Sequence, residues 1–96
     1  MIEIHQTVVF TEWLKKLKDS NAKARILLRL RNISLGNLGD VSSVGGGVSE
    51  LRIHCGPGYR IYFTNQGDKI VILLCGSDKS TQAKDIAKAH LMAKEF

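Results

Sequence analysis

Residues Glu50–Phe63 read ELRIHCGPGYRIYF, and the way this stretch divides decides the fold. Two alternating runs flank Gly56-Pro57-Gly58, the pattern of a β-hairpin closed by a short turn. Pairing Cys55 with Tyr59 sets His54 opposite Arg60, Ile53 opposite Ile61, Arg52 opposite Tyr62 and Leu51 opposite Phe63. Strand side chains alternate with period two, so the hairpin sorts into two faces. Leu51, Ile53, Cys55, Tyr59, Ile61 and Phe63 make the apolar one, and Glu50, Arg52, His54, Arg60, Tyr62 and Thr64 the other. Two arginines, a histidine, a carboxylate and a tyrosine on one face suit phosphodiester binding and cleavage. The same residues also describe an ordinary solvated face with cross-strand pairs such as Arg52 over Tyr62.

Downstream, Asn65-Gln66-Gly67-Asp68 reads as a turn and Lys69–Cys75 as a strand apolar on both faces, the pattern of a central strand covered on two sides. With Thr64 opposite Lys69, residues Ile70, Ile72 and Leu74 join the apolar face. Val71, Leu73 and Cys75 then form a hydrophobic floor beside Tyr62 and Arg60, which either lines a cleft or is covered by a partner. Ser80 or Asp78 caps a last helix over about Thr81–Lys94, with a thin stripe of Ala83, Ile86, Ala87, His90 and Leu91.

Upstream, Ile2–Thr7 reads as a short strand. Phe10, Trp13, Leu14 and Leu17 then fall on one helical face, with Thr7 or Thr11 to cap it. Asp19-Ser20-Asn21 breaks the pattern and caps a second helix, about Ala22–Leu35, whose inner stripe is Ala22, Ile26, Leu27, Leu30 and Ile33 and whose stop is Gly36. Two amphipathic helices with so short a break predict an antiparallel helical hairpin laid on a sheet. Val41–Val44 is a further short strand. Gly45-Gly46-Gly47 lacks the spacing of a phosphate-binding loop and precedes a strand, so it reads as a hairpin turn.

The 96 residues make one domain, 1–96, with 44% hydrophobic and 24% charged residues. Fourteen Lys+Arg against nine Asp+Glu give a net charge of +5, which favours a polyanionic partner such as nucleic acid or an acidic protein. No apolar run approaches the roughly 20 residues of a membrane helix, so no membrane association is expected. Cys55 and Cys75 have no CxxC spacing and point to opposite faces of neighbouring strands, which disfavours a disulfide. Together with an N-terminus lacking basic and apolar signal regions, this points to the cytoplasm. No Asp/Glu/His cluster has metal-ligand spacing, so neither a metal nor a small-molecule cofactor is expected. No Ser-His-Asp or Cys-His constellation is present.

The element order β-α-α-β-β-β-α, with GDVSSVGGGVSELRIHCGPGYRIYF followed by GSDKSTQAKDIAKA, resembles the phage-derived addiction-module killer proteins of the RelE/ParE toxin superfamily, on the HigB-like side. Glu50-Leu51-Arg52, Tyr59-Arg60-Ile61, IVILLCG, and Lys79 with Gln82 before Asp85-Ile86-Ala87-Lys88-Ala89 carry the resemblance. It implies an α+β fold: a small, mainly antiparallel sheet with an N-terminal helical hairpin and a C-terminal helix. It also implies a toxin of a type II module, neutralised by a cognate helix-turn-helix antitoxin. RelE-like and HigB-like members cut mRNA on the ribosome without a metal, whereas ParE-like members act on DNA gyrase. An inactive prophage remnant that still binds antitoxin is a further alternative.

Metal-free RNA cleavage must align the ribose 2′-oxygen with phosphorus, stabilise charge on the phosphate and move protons. Arg52 and Arg60 suit the charge role because guanidinium forks match phosphate oxygens. Lys79, after the central strand, is either a further cation on the RNA or a solvated loop residue. His54 is the candidate for proton transfer, with Arg60 opposite it expected to lower its pKa. Glu50 is a candidate base, or a partner that orients Arg52. Tyr62 is placed to stack on a base or to pack in the structure. The RelE-type tyrosine near the C-terminal helix is missing, since the last tyrosine is Tyr62; His90 in the final helix is polar but borders the core.

Overall fold

A computed structural model describes all 96 residues, Met1–Phe96. The chain runs β1 (Glu3–Gln6), α1 (Val8–Lys16), α2 (Ser20–Ser34), β2 (Val41–Ser43), β3 (Val48–Ile53), β4 (Tyr59–Gln66), β5 (Ile70–Ser77) and α3 (Gln82–Ala93), with a 3₁₀ turn at Lys79–Thr81 before α3. The α+β order is β-α-α-β-β-β-β-α: the short strand read at Val41–Val44 pairs with β3 as an edge strand over Val41–Ser43, one strand more than in the order quoted for the family resemblance.

Local signals account for both early helices. Thr7 caps α1, its hydroxyl accepting from the Phe10 amide at 3.1 Å and donating to the Leu74 carbonyl at 2.6 Å, which ties the helix start to β5. The Asp19 carboxylate caps α2 by accepting from the Ala22 amide at 3.1 Å. Helix α2 ends in a Schellman motif: Asn37 N–H bonds to Asn32 O at 2.8 Å, Gly36 N–H bonds to Ile33 O at 2.9 Å, and Gly36 adopts φ +93°.

The five strands lie in the order β1-β5-β4-β3-β2. Only β1 and β5 are parallel; the other neighbours are antiparallel. Helices α1 and α2 cover one face through a core of Phe10, Ile26, Leu30, Ile33, Leu51, Ile53, Ile61, Phe63, Val71 and Leu73. Helix α3 covers part of the other through Val48, Tyr62, Ile72, Leu74, Cys75 and Ala89. Each fully buried side chain of this size is worth about 1.5–3 kcal/mol of transfer free energy. No helix is long and apolar enough to cross a membrane.

The sheet corrects two expected registers. In the central hairpin Ile53 pairs with Tyr59, Arg52 with Arg60, Leu51 with Ile61 and Glu50 with Tyr62, two residues away from the expected pairing. The Cys55 amide bonds back to Ile53 O at 2.9 Å, which peels His54 and Cys55 out of the ladder and widens the turn to His54–Gly58. A shift of two preserves every face, so the two-face reading stands, but His54 no longer opposes Arg60.

The register of β5 is wrong by an odd number. Gln66 pairs with Ile70 around the three-residue connection Gly67–Lys69, and Thr64 pairs with Ile72 instead of Lys69. Val71 and Leu73 therefore lie in the core beneath α1 and α2, not on an exposed floor. A bulge then inserts Leu74 between the Phe63–Leu73 and Tyr62–Cys75 pairs. Leu74 and Cys75 both end on the α3 side.

Two helical stripes also differ from expectation. Leu27 on α2 is 55% exposed. On α3 the packed residues are Ile86, Ala89, Met92 and Ala93, whereas Ala83, Ala87 and Leu91 face solvent.

Candidate functional site

Because Arg52 and Arg60 are cross-strand partners, their side chains leave the sheet together on the face that α3 partly covers. Glu50, two residues before Arg52 on the same face, is 2% exposed. Its Oε1 accepts from Arg52 Nε at 2.9 Å and Arg60 Nη1 at 2.6 Å, and its Oε2 accepts from Gln82 Nε2 of α3 at 3.2 Å. Burying a carboxylate is costly unless it is paired, and here two guanidiniums and an amide meet it. Glu50 thus acts as an anchor that aims both arginines.

The chain of charges continues toward solvent. Arg52 Nη1 donates to Asp40 Oδ1 at 3.4 Å, and Asp40 Oδ2 contacts His54 Nε2 at 2.6 Å. The sequence His54–Asp40–Arg52–Glu50–Arg60 runs from a well-exposed imidazole through the buried Glu50 carboxylate to the largely buried Arg60 guanidinium. The His54 hydrogen bond is the chief cause holding the Asp40 carboxyl below its usual range; partial desolvation opposes it and nearby Arg52 adds to it.

Asp40 is delivered by a loop that α2 holds in place. Arg29 Nη1 donates to Arg52 O at 2.6 Å, and its Nη2 donates to Leu38 O at 3.0 Å. Gly39 adopts φ +72°, and a Cβ there would lie 2.7 Å from Arg29 Nη2. The left-handed backbone favours glycine, and any side chain there would also push on the Arg29 guanidinium that holds the loop.

Of the residues predicted from sequence, Glu50, Arg52 and Arg60 form one contiguous group. His54 joins it only through Asp40. Lys79 is exposed on the 3₁₀ turn beside the hairpin tip, where its amide bonds to Pro57 O at 3.4 Å. Tyr62 corrects the expectation of base stacking: it is fully buried, and its hydroxyl lies 3.0 Å from Ser77 Oγ, leaving no ring face open to a base. Burial raises its pKa, the Ser77 hydrogen bond opposing. His90 contacts Val44 O at 2.9 Å and braces the β2–β3 turn against α3.

Asp40, Arg29 and Gln82 were missed as site residues. The pairing of Val41 with Leu51 places Asp40 beside Arg52, so a correct β2 register would have found it.

One donor is left unmet: Arg60 Nε is buried without an acceptor. Asp40 and Glu50 otherwise match Arg52 and Arg60 charge for charge. No group of three or more His, Cys, Asp or Glu side chains is placed to hold a metal ion. The largest cavity, about 480 Å³, lies elsewhere, between α1 and α3 around Trp13, Gly76 and Lys84, and none of Glu50, Arg52, His54 or Arg60 lines it.

Residues 12–94 match the family described as Phage derived protein Gp49-like (DUF891). The chain is also 53% identical over 95 residues to a Haemophilus influenzae protein described as "Uncharacterized protein", covering 99% of this chain and 96% of that one. A match across nearly the whole domain, including every residue of the arginine–carboxylate group, places this chain in the Gp49-like family of phage-derived proteins.

Proposed function

We propose that this chain is the toxin of a type II toxin–antitoxin module and a ribosome-dependent, metal-independent mRNA endoribonuclease of the RelE/HigB kind. The observation that carries this reading is the pairing of Arg52 and Arg60 on one oxygen of buried Glu50. Two guanidiniums locked side by side can bind the non-bridging oxygens of one phosphate while the 2′-oxygen attacks phosphorus and the 5′-oxygen leaves. His54, with one ring nitrogen engaged by Asp40, offers the other for proton transfer. Glu50 serves as a positioning residue and not as the base, and Lys79 adds a cation from the rim. The ribosome supplies the ordered mRNA and much of its alignment. Membership of a phage-derived family and the α+β architecture support the module, with a helix-turn-helix antitoxin as partner and the cytoplasm as its place of action.

The charge balance of the site favours a second reading. Because Asp40 and Glu50 offset both arginines, the group also fits a non-enzymatic toxin that binds a protein target such as DNA gyrase, or an inactive remnant. Mapping mRNA 5′ ends in cells soon after induction, with folded Arg60→Ala as control, separates the three. New ends within translated codons, absent from the control and when initiation is blocked, are expected. Arrested growth with whole messages and DNA breaks would replace cleavage by gyrase poisoning. Normal growth with folded protein would leave the remnant.

A further inference from the structure

The net charge of +5 is confined to one part of the molecule. Residues 8–34, the α1–α2 hairpin, contain seven of the fourteen basic residues and two of the nine acidic ones. The remaining seven basic and seven acidic residues balance, so the sheet, its arginine–carboxylate group and α3 carry no excess.

Within this basic hairpin α2 turns an apolar patch outward. Leu27 and Leu28 are each 55% exposed, although a helix packed on one side normally presents polar residues there. Each leucine borders a shallow, mainly apolar hollow. The Leu27 hollow, about 270 Å³, lies toward α1 with Lys15 and Lys23 on its rim. The Leu28 hollow, about 160 Å³, lies toward β3 at Ile53, with Arg25, Arg29 and His54 on its rim. Arg31 follows one turn later, and α2 contains no acidic residue. Ridges with grooves on either side are the relief into which a second helix packs.

From this relief and its charge we infer that the outer face of α2 docks an acidic amphipathic helix of another protein. Apolar side chains of that helix fill the two hollows beside Leu27 and Leu28, and its carboxylates meet Lys15, Lys23, Arg25 and Arg31. Nucleic acid would use the cations but gain little from paired exposed leucines. A second copy of this chain would bring one basic hairpin against another, so charge opposes self-association here. The surface borders the candidate site, since Arg29 and His54 also line the Leu28 hollow, whereas Arg52, Glu50 and Arg60 line neither hollow.

The test uses the full chain and a synthetic helix of about 20 residues, with leucines at i, i+3, i+4 and i+7 and glutamates elsewhere. Amide signals of the protein should move most over Ser20–Ser34 on titration with this peptide. Affinity should fall at least about tenfold in Leu27→Ser/Leu28→Ser and in Arg25→Glu/Arg31→Glu, with the folded state of each checked by circular dichroism. The exposed positions of these residues leave the core intact. Absence of binding, shifts centred elsewhere, or affinity indifferent to the leucine changes would overturn the inference. So would an RNA hairpin or anionic vesicles binding this face more tightly than the peptide, or self-association through it in sedimentation.

Discussion

Arg52 and Arg60 are direct register partners across β3 and β4, so two like charges stand opposite each other on one face of the sheet. Such pairs repel unless an anion lies between them, and Glu50 Oε1 is that anion. Glu50→Gln should therefore lower stability by about 2–4 kcal/mol, below the full cost of breaking a buried pair because Arg52 is well hydrated. Urea unfolding measures it. Glu50→Gln/Arg60→Met, which removes the stranded charge, should recover part of the loss; a single variant as stable as the parent would show that Glu50 does not hold the pair.

Asp40 gives a pH signature. Its folded-state pKa lies below the ordinary 3.8, so its pairing with His54 and Arg52 contributes stability above that value. The contribution is lost as pH falls through the folded pKa. Asp40→Asn should therefore reduce stability at neutral pH and flatten the acid limb below about pH 4. Asp78, held low by its Ser80 hydrogen bonds, leaves a residual slope in the variant. Identical acid limbs in parent and variant would contradict this.

The two thiols should differ in reactivity. Burial pushes Cys75 up to about 11, whereas Cys55 is half-buried beside the hairpin turn. Since the thiolate is the reactive form, a disulfide-exchange reagent at mildly alkaline pH should titrate one thiol in the folded protein and two in denaturant. Cys55→Ser should abolish the fast phase. Rapid labelling of Cys75 in the folded chain would contradict its burial.

Gly76 on β5 meets the indole of Trp13 so closely that any Cβ there would collide with the ring. Gly76→Ala should cost about 1–3 kcal/mol through overpacking. It should also shift the emission of Trp13, the single tryptophan in the chain. Most of that cost should vanish in the Trp13→Leu background. Equal costs in both backgrounds would place the strain elsewhere.

The helical hairpin was legible because Phe10, Trp13 and the α2 residues Ile26, Leu30 and Ile33 repeat at helical spacing next to capping side chains. The faces of the central hairpin were legible for a similar reason: a two-residue slip leaves parity unchanged, so Glu50, Arg52 and Arg60 were found together despite a wrong register. The β5 strand was not. IVILLC is apolar on both faces, so alternation carries no phase information there. A three-residue slip of the pairing after Thr64 reversed Val71 and Leu73, and the Leu74 bulge brought Cys75 back to the expected side. Asp40 was hidden because its role arises from a three-residue edge strand and an arginine on another element.

The parallel pairing of β1 with β5 bears on when the protein can work. β5 is the strand between β1 and β4, and it is completed only at Ser77 of 96 residues. Until then Glu3–Gln6 has no strand partner, Thr7 lacks the Leu74 carbonyl that anchors α1, and Gln82 has not reached Glu50. Pairings between residues so far apart in the chain are intrinsically slow to form. The first strand of the chain therefore stays unpaired until residues 70–77 are available to receive it.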